Sequence, residues 1–310
     1  MRYIFIVNPK AGKKDSTKIY VSDIEKHMKN RDIPFEIIET THARNATEIV
    51  KAKISQYKGD KLRFYGFGGD GTLRELCEGV ANEPNAELGI FPVGSGNDYI
   101  KIFGEKDKFL DFKAQLNGKS VKLDAIKSEF GISLNICSVG LDAKVAHNMV
   151  KFKNLPFVSG SVAYDLALVK SLLSGLGENL NVRLHTAKGI EEFKGEFLFA
   201  LAANGQYYGG GFRGAPKSIA NDGIMDLILI KKPPLYLIPS LIGVYKRGEH
   251  IDSPVFRKYM IYRRGTKMEI STWRDIPSNH DGECSVITEE SFEVMPSAVN
   301  FILPEGVSYP

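Results

Sequence analysis

Residues 62–72 read LRFYGFGGDGT and residues 88–98 read LGIFPVGSGND. Each stretch is a short apolar run that opens into a glycine-rich polar turn. Leu62 to Gly66 and Leu88 to Val93 read as strands. Between them Leu73, Leu76, Cys77 and Val80 fall at i, i+3, i+4 and i+7, the stripe of a helix. The same alternation extends upstream. Tyr3 to Val7 and Phe35 to Ile38 read as strands, and Ser16 to Lys29 and Ala46 to Tyr57 read as helices. Strands that alternate with helices imply right-handed βαβ units and a parallel sheet, the α/β class.

The pattern changes after about Leu123. Short alternating segments follow at Ile132 to Cys137, Asn181 to His185, Glu196 to Ala202, Met225 to Ile230, Lys267 to Ser271 and Ser291 to Met295. Turn signals such as Lys188-Gly189, Asn221-Asp222-Gly223 and Asp281-Gly282 separate several of them. This predicts a mostly antiparallel β domain over 124–298, with one helix at Val162 to Leu173. The α/β domain is expected to span 1–123 and to be completed by about 299–310, where Val299 to Leu303 returns to it.

Composition narrows the function. The chain has 310 residues, 43% of them hydrophobic, and a net charge of +4 from 41 basic and 37 acidic side chains. That excess is too small to argue for nucleic acid. Cys77, Cys137 and Cys284 are odd in number and far apart, which excludes a disulfide framework or a CxxC metal site and suits a reducing cytoplasm. The first apolar run stops at Val7, short for a signal peptide. The longest, Leu235 to Tyr245, is broken by Pro239, Ser240 and Gly243, and a membrane-spanning helix needs about 20 apolar residues. With the basic pairs Arg257-Lys258 and Arg263-Arg264, that stretch offers a membrane-facing surface or a core helix beside a solvated loop.

Chemistry gathers at the strand ends. Strand one runs into Asn8-Pro9-Lys10-Ala11-Gly12, strand two into Thr40-Thr41, strand three into Gly68-Gly69-Asp70-Gly71-Thr72 and strand four into Gly94-Ser95-Gly96-Asn97-Asp98. In an open parallel sheet these loops emerge at one carboxyl edge, where ligands bind. Glycines let the backbone approach a phosphate, and helix starts turn N–H groups toward it. Asp70 and Asp98 can orient hydroxyls or engage the magnesium that accompanies a triphosphate. Neither a Walker A motif nor a GxGxxG fingerprint occurs.

NPKAGK, GGDGTLRE and PVGSGND, in this order, resemble the diacylglycerol kinase catalytic-domain family, which includes soluble bacterial lipid kinases and the sphingosine and ceramide kinases. Further likenesses run through Ser138 to Ala143, Asn204 to Gly211, Asn221 to Asp226 and His280 to Glu283, so the resemblance spans nearly the whole chain. It implies an N-terminal domain like that of NAD kinases followed by a C-terminal β-sandwich. Asn8, Pro9, Lys10, Ala11, Gly12, Thr40, Gly68, Gly69, Asp70, Gly71, Thr72 and Ser95 would hold ATP, with Asn97 and Asp98 in the same loops. Asp281 would be the general base, with Glu283 beside it. A structural magnesium ion would sit on Asp222 and the carbonyls of Ile219 and Ile224. Arg74, Ser95 and Asn221 depart from the usual Asn, Thr and Asp.

The activity this implies is ATP- and Mg2+-dependent phosphorylation of a lipid hydroxyl, diacylglycerol to phosphatidic acid being favoured. Sphingosine, ceramide and phosphatidylglycerol are other acceptors. NAD kinase and a non-catalytic nucleotide- or lipid-binding regulator are the rival readings. The expected setting is cytoplasmic, with transient contact at a membrane surface where the lipid substrate lies. No nucleic-acid partner is expected, and a homodimer is one option for assembly.

Overall fold

A computed structural model describes residues 1–12, 16–29, 31–153 and 176–309. The helix expected at Val162 to Leu173 lies outside the described residues. The chain divides into two units, Met1–Ala125 with Ser297–Pro310, and Ile126–Pro296.

The first unit alternates as its periodicity dictates: β1 (Arg2–Val7), α1 (Ser16–Met28), β2 (Phe35–Glu39), α2 (Asn45–Gln56), β3 (Leu62–Gly68), α3 (Asp70–Val80) and β4 (Ala86–Pro92). A 3-10 turn over Tyr99–Phe103 follows, then α4 (Lys106–Leu110), α5 (Phe112–Leu116) and the start of β5 (Lys119–Ser128). β2, β1, β3 and β4 lie side by side and parallel, and Asn300 and Phe301 of the returning chain pair in parallel beside β4. Every residue of β3 is buried, because helices cover both sheet faces. One face packs Phe5, Tyr65, Phe67 and Phe91 against Ile24 and Met28 of α1, and Phe67 and Phe91 stack at 4.3 Å. On the other, α3 buries Leu73, Leu76, Cys77 and Val80, the four positions its period picks out. Leu76→Ala would leave a cavity costing about 2–5 kcal/mol.

In the second unit the strand pairings among the described residues are antiparallel. Its elements are the end of β5, β6 (Gly131–Ser133), β7 (Ile136–Gly140), α6 (Leu141–Lys153), β8 (Glu178–Thr186), β9 (Gly189–Ala203), β10 (Met225–Lys231), α7 (Ile238–Lys246), β11 (Met260–His280) and most of β12 (Glu283–Leu303). β8 bonds both β9 and β11, and β10 bonds the same two strands, so the sheet curls around one core. Met225, Leu227 and Leu229 point into that core with Cys137, Val139, Val182 and Phe292. The alternate residues Ile228 and Ile230 point outward, where α6 and α7 cover them. α7 lays Ile238, Leu241 and Tyr245 inward, so one face of the apolar stretch follows the core-helix reading of the two that the sequence left open. Of its large apolar side chains, Leu235 and Tyr236 at its start are strongly exposed, at 66% and 80%. Among the described residues no helix is long and apolar enough to cross a membrane.

Candidate functional site

In the first unit the parallel register brings the loops after β1, β3 and β4 to one sheet edge. Two kinds of residue emerge there. Some side chains fasten loop to loop. Asn8 donates through Nδ2 to Thr72 Oγ1 at 3.1 Å, and its Oδ1 accepts from the Lys10 amide at 2.9 Å. Asp70 accepts from the amides of Asp98 at 3.0 Å and Tyr99 at 3.3 Å. Burial pushes the Asp70 carboxyl up, against the pull of those amides. Asn97, at φ 53°, donates to the carbonyls of Pro92 and Gly94. Asp98 is buried and paired with Lys101. Asp70 and Asp98, read from the sequence as hydroxyl or magnesium partners, are thus engaged in building the loops.

The other kind faces solvent through its backbone. Pro9, Lys10, Gly12, Gly71, Ser95 and Gly96 are exposed. Gly71 and Thr72 lie in the first turn of α3, where amides lack intrahelical partners and the helix dipole favours an anion. Lys10 adds a positive charge on the neighbouring loop. This edge is suited to a polyphosphate. Thr40 joins it by donating its amide to Val7 O at 2.9 Å.

In the second unit Asp281 and Gly282 form the two-residue turn between β11 and β12, with φ values of 51° and 95°. Two successive positive φ values mark the mirror-image turn that suits hairpin twist. The Asp281 carboxylate is not spent on the turn alone. Its oxygens accept from the amides of Leu134 at 2.7 Å, Asn135 at 3.2 Å and Ile136 at 2.8 Å. Glu283 is half-buried at the start of β12.

The expected metal ligand has another partner. Asp222 pairs with Arg264, and its Oδ1 accepts from the Ile224 amide at 3.2 Å. Among the described residues no group of three His, Cys, Asp or Glu side chains is placed to hold a metal.

A feature unassigned in the sequence is an apolar cleft in the second unit, open on one side and with a cavity volume of about 70 Å³. Leu141, Val145, Phe199, Ile238, Leu241 and Phe256 are among its walls. Asp142 is a polar group on this lining, taking a hydrogen bond from Ser138 Oγ at 2.5 Å. Burial pushes the Asp142 carboxyl up, with the hydroxyls of Ser138 and Tyr208 pulling it back. Tyr208 and Tyr245 meet hydroxyl to hydroxyl at 3.1 Å. Nothing in sequence spacing marks this site, because its walls come from positions 141 to 256. Asp142 within an otherwise apolar Val-Gly-Leu-Asp-Ala stretch was the available hint.

Residues 2–128 match the family described as the diacylglycerol kinase catalytic domain, and residues 135–303 match the YegS C-terminal NAD kinase beta sandwich-like domain. A diacylglycerol kinase of Staphylococcus carnosus is 27% identical over 304 residues, covering 97% of this chain and 95% of that protein. A protein named "Probable lipid kinase YegS-like" of Shewanella frigidimarina is 28% identical over 244 residues, covering 76% of this chain and 75% of its own length. The solved structure of a diacylglycerol kinase from Bacillus anthracis shares the fold at a TM-score of 0.69 and 20% identity, covering 99% of this chain and 98% of that one.

Proposed function

The chain belongs to the diacylglycerol kinase catalytic-domain family, and on that premise we propose that it transfers the γ-phosphoryl group of ATP to a hydroxyl of a membrane lipid, a diacylglycerol-like lipid being the favoured acceptor. The observation that carries the lipid reading is the cleft of the second unit. Its walls are almost wholly apolar, which suits an acyl chain and offers little to a dinucleotide. The diacylglycerol kinases and lipid kinases among its relatives support the same class of acceptor.

The loops after β1, β3 and β4 receive the triphosphate at their exposed residues Pro9, Lys10, Gly12, Gly71 and Ser95, with Lys10 adding charge. Magnesium carried on the triphosphate neutralises charge that develops on the transferred group. Asp281 takes the proton of the attacking hydroxyl as the new P–O bond forms and the bond to the ADP oxygen breaks. Phosphoryl transfer depends chiefly on such positioning, so the held carboxylate of Asp281 suits the role.

The test is a magnesium-ATP assay against diacylglycerol, sphingosine, ceramide, phosphatidylglycerol and NAD, with products identified by mass spectrometry. Phosphatidic acid is the expected product. Phosphorylated NAD with no lipid product would overturn the reading. Leu241→Trp, which fills the cleft, should raise the lipid KM roughly tenfold, equivalent to about 1.4 kcal/mol of lost binding, and leave the ATP KM unchanged.

A further inference from the structure

The family resemblance implies a magnesium ion at the turn that here runs through Asn221-Asp222-Gly223. In this chain an arginine reaches the same carboxylate. Asp226 on β10 lies directly opposite Arg264 on β11 in the antiparallel ladder. That register directs the guanidinium along the turn that precedes β10. Its Nη2 donates to Asp222 Oδ2, and its Nε donates to Asp226 Oδ1 at 3.3 Å. The same Asp226 oxygen accepts the Tyr262 hydroxyl at 3.1 Å. Asp222 Oδ1 is taken by the Ile224 amide. One planar cation therefore bridges two carboxylates, 42 and 38 residues away in the chain.

The donor set does not fit magnesium. That ion demands near-octahedral oxygen ligands at about 2.0–2.1 Å. The expected set is one carboxylate, Asp222, with the carbonyls of Ile219 and Ile224. The carboxylate is already ion-paired, and Asn221 contributes no charge. A dication entering there would stand against a guanidinium that is always protonated. Arg264, in contrast, has the fork needed for two carboxylates, and its side chain is 36% exposed.

We propose that Arg264 is a built-in cation that replaces a bound metal ion in this turn, tying Asp222 and Asp226 to strand β11. The second unit then needs no divalent ion to hold residues 219–226 in place. This goes beyond the lipid-kinase reading and stands whichever acceptor is phosphorylated.

Thermal unfolding of the full chain, without nucleotide or lipid, tests it. The wild-type midpoint should be the same in EDTA and in excess magnesium. Arg264→Gln leaves two carboxylates without their cation, so its midpoint should drop by several degrees in EDTA and recover in part with magnesium or calcium. Arg264→Lys keeps the charge and loses the fork. It should fall less and stay indifferent to metal, which keeps the test open if the glutamine variant fails to fold. A wild-type midpoint that magnesium raises, with the rise abolished by Asp222→Asn, would overturn the proposal. So would an Arg264→Gln protein that melts with the wild type in EDTA.

Discussion

At Asp281 one carboxylate carries two demands. The residue holds a left-handed turn position at φ 51°, where its own N–H donates to Ile136 O at 3.1 Å. Its oxygens hold three successive amides, Leu134 to Ile136, that lead into β7. Each oxygen takes two of these contacts, the Asn135 amide being shared between them, so the clamp fixes the direction of the carboxylate. Asp281→Asn keeps the shape but turns an NH2 group toward backbone N–H donors. At least one amide loses its acceptor, at about 1–3 kcal/mol. The melting midpoint should therefore fall. Removing a general base should also lower kcat on the order of 10²–10⁴-fold. The two effects separate if turnover is measured well below the melting transition, per folded molecule. A variant with lowered midpoint and near-normal kcat would reduce Asp281 to the clamp.

At the level of loops and strands, the glycines divide by what they make room for. A Cβ on Gly94 would lie 2.4 Å from Gly69 Cα and 2.7 Å from Gly69 N, so the loops after β3 and β4 touch backbone to backbone. Gly94→Ala must push them apart, at about 1–3 kcal/mol, and should lower the melting midpoint and nucleotide affinity together. Gly71 has nothing within 4 Å of the added atom and lies inside α3. Alanine there favours the helix by up to about 1 kcal/mol, so stability should hold or rise. Nucleotide affinity should nonetheless fall roughly tenfold if phosphates rest on that turn, as titration calorimetry would show. A Gly71→Ala protein that binds ATP like the wild type would remove the phosphate from α3. The sequence announced these loops because apolar runs and glycine turns are local signals. It did not announce that Asp70 fastens its loop to the next by accepting from Asp98 and Tyr99, because that depends on β3 lying beside β4. β11 and β12 were legible only as fragments. Pro277, Pro296 and a register shift between Ser271 and Ile276 lie inside these 21-residue strands, and each is a local sign of a strand end. The Arg264 bridge was hidden for the same reason, since it exists only through the β10–β11 register.

Across the whole molecule, buried carboxyl groups set an unusual dependence of stability on pH. Burial raises Asp70 in the first unit and Asp142 in the second. It raises Asp226 to about 6, despite Tyr262 and Arg264, and Glu290 to about 7, beside Glu129, Ser278 and His280. A carboxyl group raised in the folded state stabilises it fully below the unfolded value of about 4, and that contribution is lost as pH rises through the folded value. His250 works the other way. Packed against Tyr245 and Phe256 near Asp252, it is lowered by burial to about 4, so its cost grows as pH falls below about 6.5. Asp226 and Glu290 together outweigh this single histidine, with Asp70 and Asp142 adding to their side. Glu269, held near 2 by His185 and Lys267, opposes them only once pH drops below about 4.5. The melting midpoint should therefore rise as pH is lowered from about 8 to about 5, and turn down below that. Calorimetric scans across this range check it. Glu290→Gln should flatten the limb above about pH 6, and His250→Phe should steepen the gain toward about pH 5. A midpoint that falls steadily from about pH 8 to about pH 5, in wild type and both variants alike, would mean that these interior groups keep ordinary values and that the raised carboxyls do not govern the fold's stability.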